Sequence, residues 1–235
     1  MPWQEHHYPD AEALTAALTE TLAQACAEAL AQRGRALLSL AGGRTPFPIY
    51  RALAARAELD WSKIAVMPGD DRCVAHADPA SNLRGLREAF AAAQGVQVEA
   101  LTAEDGDADA SLAQARAMLA RNAEAFDAVV LGMGEDAHTA SLFPRVAGLD
   151  AALALDAEHD AFAIVPDPLP PEAPYPRITL GRARLLRARH LHLIVTGARK
   201  REVLAAAQAA EDAHNAPISA FLHAPGALVQ IHWCP

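Results

Sequence analysis

A chain of 235 residues, 52% of them apolar, carries enough nonpolar surface to bury a sizeable core. It shows no run of about 18 uncharged apolar residues, so no membrane span is expected. The formal net charge of −9 argues against a nucleic-acid partner, which needs a basic face, but leaves a small anionic substrate open. The first ten residues, MPWQEHHYPD, are polar and acidic where an export signal is basic and then apolar. They read as a tail holding His6 and His7, and the expected location is the cytoplasm. Helical spacing of Leu14, Leu18, Leu22 and Leu30 predicts a helix over Asp10 to Arg33, stopped by Gly34. ALLSLAGG then reads as a short buried strand ending in glycines. A helix is expected from Pro46 to Ala57, a strand over Ile64 to Asp70, a polar loop DRCVAHADPASN and a helix from Leu83 to Ala93. VQVEAL alternates like a strand, Ala108 to Glu124 reads as a helix, and FDAVVLG as a third buried strand. Further strands are expected at Phe162 to Val165, Arg177 to Leu180, His190 to Thr196 and Leu228 to Trp233, with a helix over Lys200 to Ala210. The alternation predicts an α/β fold with a Rossmann-like, largely parallel sheet flanked by helices. PDPLPPEAPYP (Pro166 to Pro176) reads as a rigid surface loop inside one domain spanning residues 1–235.

Cys26, Cys73 and Cys234 are an odd number with no CxxC spacing, so neither a disulfide framework nor a thiolate zinc site is expected. Cys73 reads as a structural thiol. The ten histidines include no HExxH, and Asp136 with His138 supplies only two ligands, so no metal is expected. His190 and His192 share one strand face and read as packing.

In open parallel sheets ligands bind beyond the carboxyl ends of the strands. Four loops qualify. In AGGRTP, Gly42 and Gly43 allow a sharp turn with close backbone approach, Thr45 offers a hydroxyl, and a following helix points its positive end the same way, a combination suited to phosphate as well as to a plain turn. GDDRC offers carboxylates and Arg72, suited to a base and an anion clamp or to a solvated loop. Arg177 follows the proline segment, and TGARK carries Lys200 from a strand into a helix. The strongest signal is FDAVVLGMGEDAHTASLFP. Its G-x-G-x-x-A follows a middle strand, and Asp167, the acidic residue ending the next strand, lies too far away for a dinucleotide fingerprint. What remains is acid–base chemistry: a neutral His138 held by Asp136 can take a proton from water. No serine or cysteine sits in a nucleophile elbow, so direct attack by water is simpler than a covalent route.

Taken together, AGGRTP, GDDRCVAHADPASN, GMGEDAHTASLFP, PRITL and VTGARKREVL, in this order over nearly the whole chain, resemble the 6-phosphogluconolactonases and the wider group that includes glucosamine-6-phosphate deaminase. The resemblance implies the fold of the deaminase/ribose-5-phosphate isomerase group. It implies hydrolysis of 6-phospho-D-glucono-1,5-lactone to 6-phospho-D-gluconate in the oxidative pentose phosphate pathway, with no metal or organic cofactor. Carried over, His138 is the general base and Asp136 its partner. Gly42, Gly43, Arg44 and Thr45 line the phosphate or sugar pocket with Asp70. Arg72, Arg177 and Lys200 supply positive charge, and Ser81 and Asn82 shape the pocket. Asp71 stands where the family usually has Glu. Ala137 stands where it usually has Gly, and an ordinary negative φ is expected there. The rival deaminase carries Asn-Glu-Pro after its histidine; Thr139 to Pro144 holds no carboxylate, which favours the lactonase. A non-catalytic sugar-phosphate sensor normally carries a DNA-binding module, and none is expected ahead of Ala36 in so acidic a chain.

Overall fold

Residues 2–170 and 174–235 are described by the computed structural model. The middle of the proline-rich segment, residues 171–173, therefore lies outside the described residues. Helix α1 (Ala11–Arg33) starts where the Asp10 carboxylate accepts the Ala13 N–H at 2.8 Å. It ends at Gly34, whose φ of 74° lets its own N–H turn back onto the Leu30 carbonyl. Its inward stripe, Leu14, Leu18 and Leu22, is fully buried, worth about 1.5–3 kcal/mol of transfer free energy per side chain.

Strands β1 (Trp3–His7), β2 (Ala36–Leu40), β3 (Ile64–Pro68), β5 (Gln97–Val98), β6 (Phe126–Gly132), β9 (Ala188–Thr196) and β10 (Val229–Cys234) form a seven-stranded sheet in the order β1-β10-β9-β6-β2-β3-β5. Every pairing in it is parallel. β2 and β3 are buried at every position, as central strands covered on both faces must be. Helices α1, α2 (Phe47–Ala54) and α3 (Asn82–Ala89) pack on one face. Helices α4 (Ala108–Arg121), α5 (Leu149–Leu153), α6 (Arg182–Leu186), α7 (Ala198–Ala209) and α8 (Ser219–Leu222) pack on the other. A second sheet of three antiparallel strands is built from β4 (Asp70–Arg72), β8 (Arg177–Leu180) and β7 (Ala161–Ile164), in the order β4-β8-β7. No helix among the described residues is long and apolar enough to cross a membrane.

Three expectations need correcting. The first residues are not a tail: Trp3–His7 pairs with β10 residue for residue, and Glu5 ties this edge strand to α7 through Arg201 at 2.7 Å and Gln208 at 2.8 Å. The polar loop after β3 begins with a strand, because Asp70–Arg72 finds a partner in Arg177–Thr179. VQVEAL contributes only Gln97–Val98 to the sheet.

His192 and His232 lie almost wholly buried on the α1 face, their side chains sharing it with Ile194 and Cys234 by strand alternation. Their ring nitrogens meet at 3.1 Å, and Tyr8 reaches His232 at 2.9 Å. His6 stacks on His232, and His190 on His192. Burial and the neighbouring imidazoles push His232 down to about 4 and His192 to about 3. Both are neutral in the native state, while the unfolded chain takes up protons below about pH 6.5. Stability is therefore fully present above that pH and falls as the pH drops towards these lowered values. The expected slope is up to about 1.4 kcal/mol per pH unit for each histidine. Urea unfolding at pH 7.5, 6 and 5 measures it, and replacing both histidines with glutamine should flatten the slope. A parent stability that does not change over this range would dismiss the effect.

Candidate active site

The sheet order reverses between β2 and β6. From β2 the chain runs outward to β3 and β5, then returns on the other side as β6, β9 and β10. Adjacent loops diverge at such a point and leave a crevice beyond the carboxyl ends of the strands. A cavity of about 340 Å³ opens there. Its floor is the loop after β2 and Gly132 to Gly134 after β6; Thr196 and Lys200 close it after β9. The small sheet contributes Asp70, Arg72 and Arg177 to its wall. Gly42, Gly43, Arg44, Thr45, Asp70, Arg72, Asn82, His138, Arg177 and Lys200 thus meet around one space. Asp136 and Ser81 are not in its lining; Asp136 holds His138, which is, and Ser81 bonds to Asp71 and Arg84 behind it.

His138 Nδ1 lies 2.6 Å from Asp136 Oδ1, which also accepts the His138 backbone N–H at 3.2 Å. Burial pushes the Asp136 carboxyl up, but the hydrogen bond and charge of His138 outweigh it and hold the group below its ordinary value. An ionised Asp136 fixes the proton on Nδ1, so Nε2 keeps its lone pair for a ligand or water. The turn that brings them together is tight. The Gly134 N–H donates to the His138 carbonyl at 3.0 Å, and Ala137 N–H to the Gly134 carbonyl at 3.1 Å. A Cβ on Gly134 would overlap both His138 Nδ1 and Asp136 Oδ1, so glycine is required by contact. Thr139 Oγ1 closes the base of the loop on the Gly132 carbonyl at 2.8 Å.

The expected negative φ at Ala137 is overturned: it is 64°. Reversing the chain within four residues demands a left-handed position, and Ala137 is locked there by Ile218, whose N–H donates to its carbonyl at 3.1 Å. Ala140 at 49° and Arg145 at 58° are also left-handed. Arg145 is held by the His214 carbonyl at 2.9 Å and by Asn215 Oδ1 at 2.7 Å. The segment 214–218 therefore braces the loop that carries His138 from behind. Ala137→Gly relieves about 1–2 kcal/mol of left-handed strain. It gives up a buried methyl worth about 0.8 kcal/mol and adds unfolded-chain entropy of similar size. Its stability should stay within about 1 kcal/mol of the parent, whereas Ala137→Val should lose about 2 kcal/mol or more in denaturant unfolding. Equal stability of the two variants would contradict the strain argument.

Arg72 and Arg177 are directly opposed across β4 and β8. Arg72 donates to the Ala80 carbonyl at 3.0 Å and to Asn82 Oδ1 at 2.7 Å. Burial lowers the Arg177 pKa; Asp70 opposes this and the Arg72 cation adds to it. A buried guanidinium beside a partly buried one makes a site that an anion stabilises. Asp70 faces the same space and accepts a hydrogen bond from the Ser141 hydroxyl. Asp71 points away. Fully buried, it accepts from the backbone N–H groups of Arg72, Asn82 and Leu83 at 2.8, 2.6 and 2.9 Å, and from the Ser81 hydroxyl at 3.2 Å. Its short carboxylate thereby staples β4 to the start of α3. Ser81 caps that helix by accepting the Arg84 N–H at 3.2 Å and lines a smaller recess beside the main cavity. Gly42 lies so close to Asn82 that a Cβ would overlap its amide. Burial and Asp71 push the Cys73 thiol up to about 11, in keeping with a structural role.

The sequence profile of the glucosamine-6-phosphate isomerases/6-phosphogluconolactonase family matches residues 9–233. The chain belongs to this family. A 6-phosphogluconolactonase of Pseudomonas putida is 36% identical over 232 residues, spanning 98% of this chain and 92% of its own length. Another from Rhizobium meliloti (strain 1021) is 36% identical over 235 residues, with 98% of each chain covered. The crystal structure of a 6-phosphogluconolactonase from Shewanella baltica OS155 superposes with a TM-score of 0.90 at 32% identity, covering 98% of this chain and 97% of its own. The lactonase/isomerase family membership thus rests on nearly the full length, in keeping with the five sequence landmarks.

Two features of the site were not found from the sequence. Phe143 packs its ring 4.5 Å from that of His138, and 4.9 Å from the Arg177 guanidinium. Ser141 anchors Asp70. Both lie in the motif that holds His138, but contacts to residues far along the chain leave no local signal.

Proposed function

We propose that this chain is the 6-phosphogluconolactonase of an oxidative pentose phosphate pathway, hydrolysing 6-phospho-D-glucono-1,5-lactone to 6-phospho-D-gluconate with His138 as general base. The observation that carries this reading is the Asp136–His138 pair beside a cavity lined by Arg72 and Arg177. The arginines and Lys200 supply the positive charge for the 6-phosphate and for the oxyanion, with Gly42, Gly43, Arg44 and Thr45 along the sugar. Water held by His138 Nε2 attacks C1 of the lactone and gives its proton to the imidazole. Asp136 stabilises the imidazolium formed. Negative charge collects on the carbonyl oxygen of the tetrahedral intermediate and is met by the cationic wall. Collapse breaks the bond from C1 to the ring oxygen, which leaves with the imidazolium proton, and the acid formed ionises in solution.

A coupled assay for the phosphogluconate product, corrected for spontaneous hydrolysis of the lactone, tests the reading. Turnover well above the uncatalysed rate is expected. Release of ammonia from glucosamine 6-phosphate without lactone hydrolysis would transfer the chain to the deaminase branch, and tight phosphosugar binding without turnover would make it a sensor.

A further inference from the structure

Phe143 follows the catalytic loop and is largely buried, so on burial alone it passes for core. Its surroundings are more specific. On one side is the His138 ring, at 4.5 Å between centroids and inclined by 33°. The Arg177 guanidinium carbon stands 4.9 Å from the same ring's centre. Arg177 in turn is opposed to Arg72 across the small sheet. The base comes from the loop after β6 and the guanidinium from a different sheet, and the Phe143 ring lies against both. One aromatic ring is the shared contact.

We propose that Phe143 is a positioning residue that couples the general base to the anion clamp. This rests on the function proposed above. The physical argument has two parts. An aromatic face attracts a cation, so Phe143 favours one placement of the buried Arg177 guanidinium. The same ring limits rotation of the His138 imidazole, whose other restraint, the Asp136 hydrogen bond, fixes Nδ1 but leaves the ring free to swing about that contact. With both groups against one plate, the distance from the base to the anion site is set by a rigid body. A substrate whose phosphate and lactone carbonyl are separated by a fixed sugar ring needs that distance kept. Aliphatic replacement fills the space but supplies neither a flat surface nor a quadrupole.

The experiment compares Phe143→Leu, Phe143→Tyr and His138→Ala in the lactonase assay, with thermal unfolding measured on each. Phe143→Leu is expected to lower kcat about tenfold and raise KM several-fold, because base and clamp are both loosened. Phe143→Tyr, which keeps the ring, should hold both constants within about threefold of the parent. A double-mutant cycle with Arg177→Lys separates coupling from general loosening: the Arg177→Lys effect should shrink at least threefold or so in the Phe143→Leu background. If Phe143→Leu does not fold, Phe143→Met takes its place in the cycle, since methionine adapts to irregular space. Additive effects in the cycle, or parent-like kinetics in a folded Phe143→Leu or Phe143→Met protein, overturn the coupling. Parent-like turnover in His138→Ala overturns the mechanism beneath it, so the two failures are distinguishable.

Discussion

His138→Ala is expected to lower kcat by about a hundred- to ten-thousand-fold, the range that positioned general-base catalysis supplies. KM should change little, because the cations proposed to bind the phosphate stand on other elements: Arg72 on β4, Arg177 on β8 and Lys200 on α7. The split distinguishes a base from a binding residue. Loss of an interaction made only in the transition state depresses kcat and kcat/KM together, whereas loss of a ground-state contact raises KM alone. Steady-state kinetics, with equilibrium binding of phosphogluconate by calorimetry, gives both quantities. Unchanged turnover would remove His138 from the role; lost binding with intact turnover would make it part of the pocket.

A methyl group at Gly134 is expected to be nearly as damaging, although neither His138 nor Asp136 is replaced. The Cβ of Gly134→Ala would occupy the space of His138 Nδ1 and Asp136 Oδ1, so the pair has to separate or the turn has to open. Displacement of a base by about 1 Å costs on the order of a hundredfold in rate, and kcat should fall by about that factor. The fold should tolerate the change at a cost of about 1–3 kcal/mol, since the overlap is with side-chain atoms at a partly exposed edge. Parent-like kcat in a folded Gly134→Ala protein would show that the Asp136–His138 geometry is not what limits the rate.

Much of this site was legible because chemistry and local structure coincide in short runs. FDAVVLG has no polar alternation, as a strand covered on both faces must, and the observed β6 occupies those seven residues. The glycines after it mark a turn, and an Asp two residues before a His suggests the pair that is observed at 2.6 Å. AGGRTP and Lys200 follow from the general rule about strand ends, and both line the cavity there. What was hidden depends on partners far along the chain. Asp-Asp-Arg reads as a solvated loop until Arg177–Thr179 arrives to pair with it. Trp-Gln-Glu-His-His has the polarity of a tail, yet an edge strand tolerates such residues because one of its edges stays open. Ala137 carries no mark of its left-handed backbone; the need for it comes from the four-residue reversal and from Ile218 behind it.

The pairing of β1 with β10 has a consequence for how the molecule is made. Side chains of the first strand meet those of the last across 224 positions, as His6 does with Gln230. On the ribosome, therefore, β1 waits for β10 through the synthesis of all the elements between them. The turn that carries Asp136 and His138 can be translated in full while the sheet is still open between β1 and β9, the gap that Val229–Cys234 fills. Closing it is a long-range step of the kind that slows folding and leaves strand edges exposed meanwhile. A nascent chain stalled shortly before Val229 should thus be the aggregation-prone species, and a chaperone that shields the first strand would act on it there.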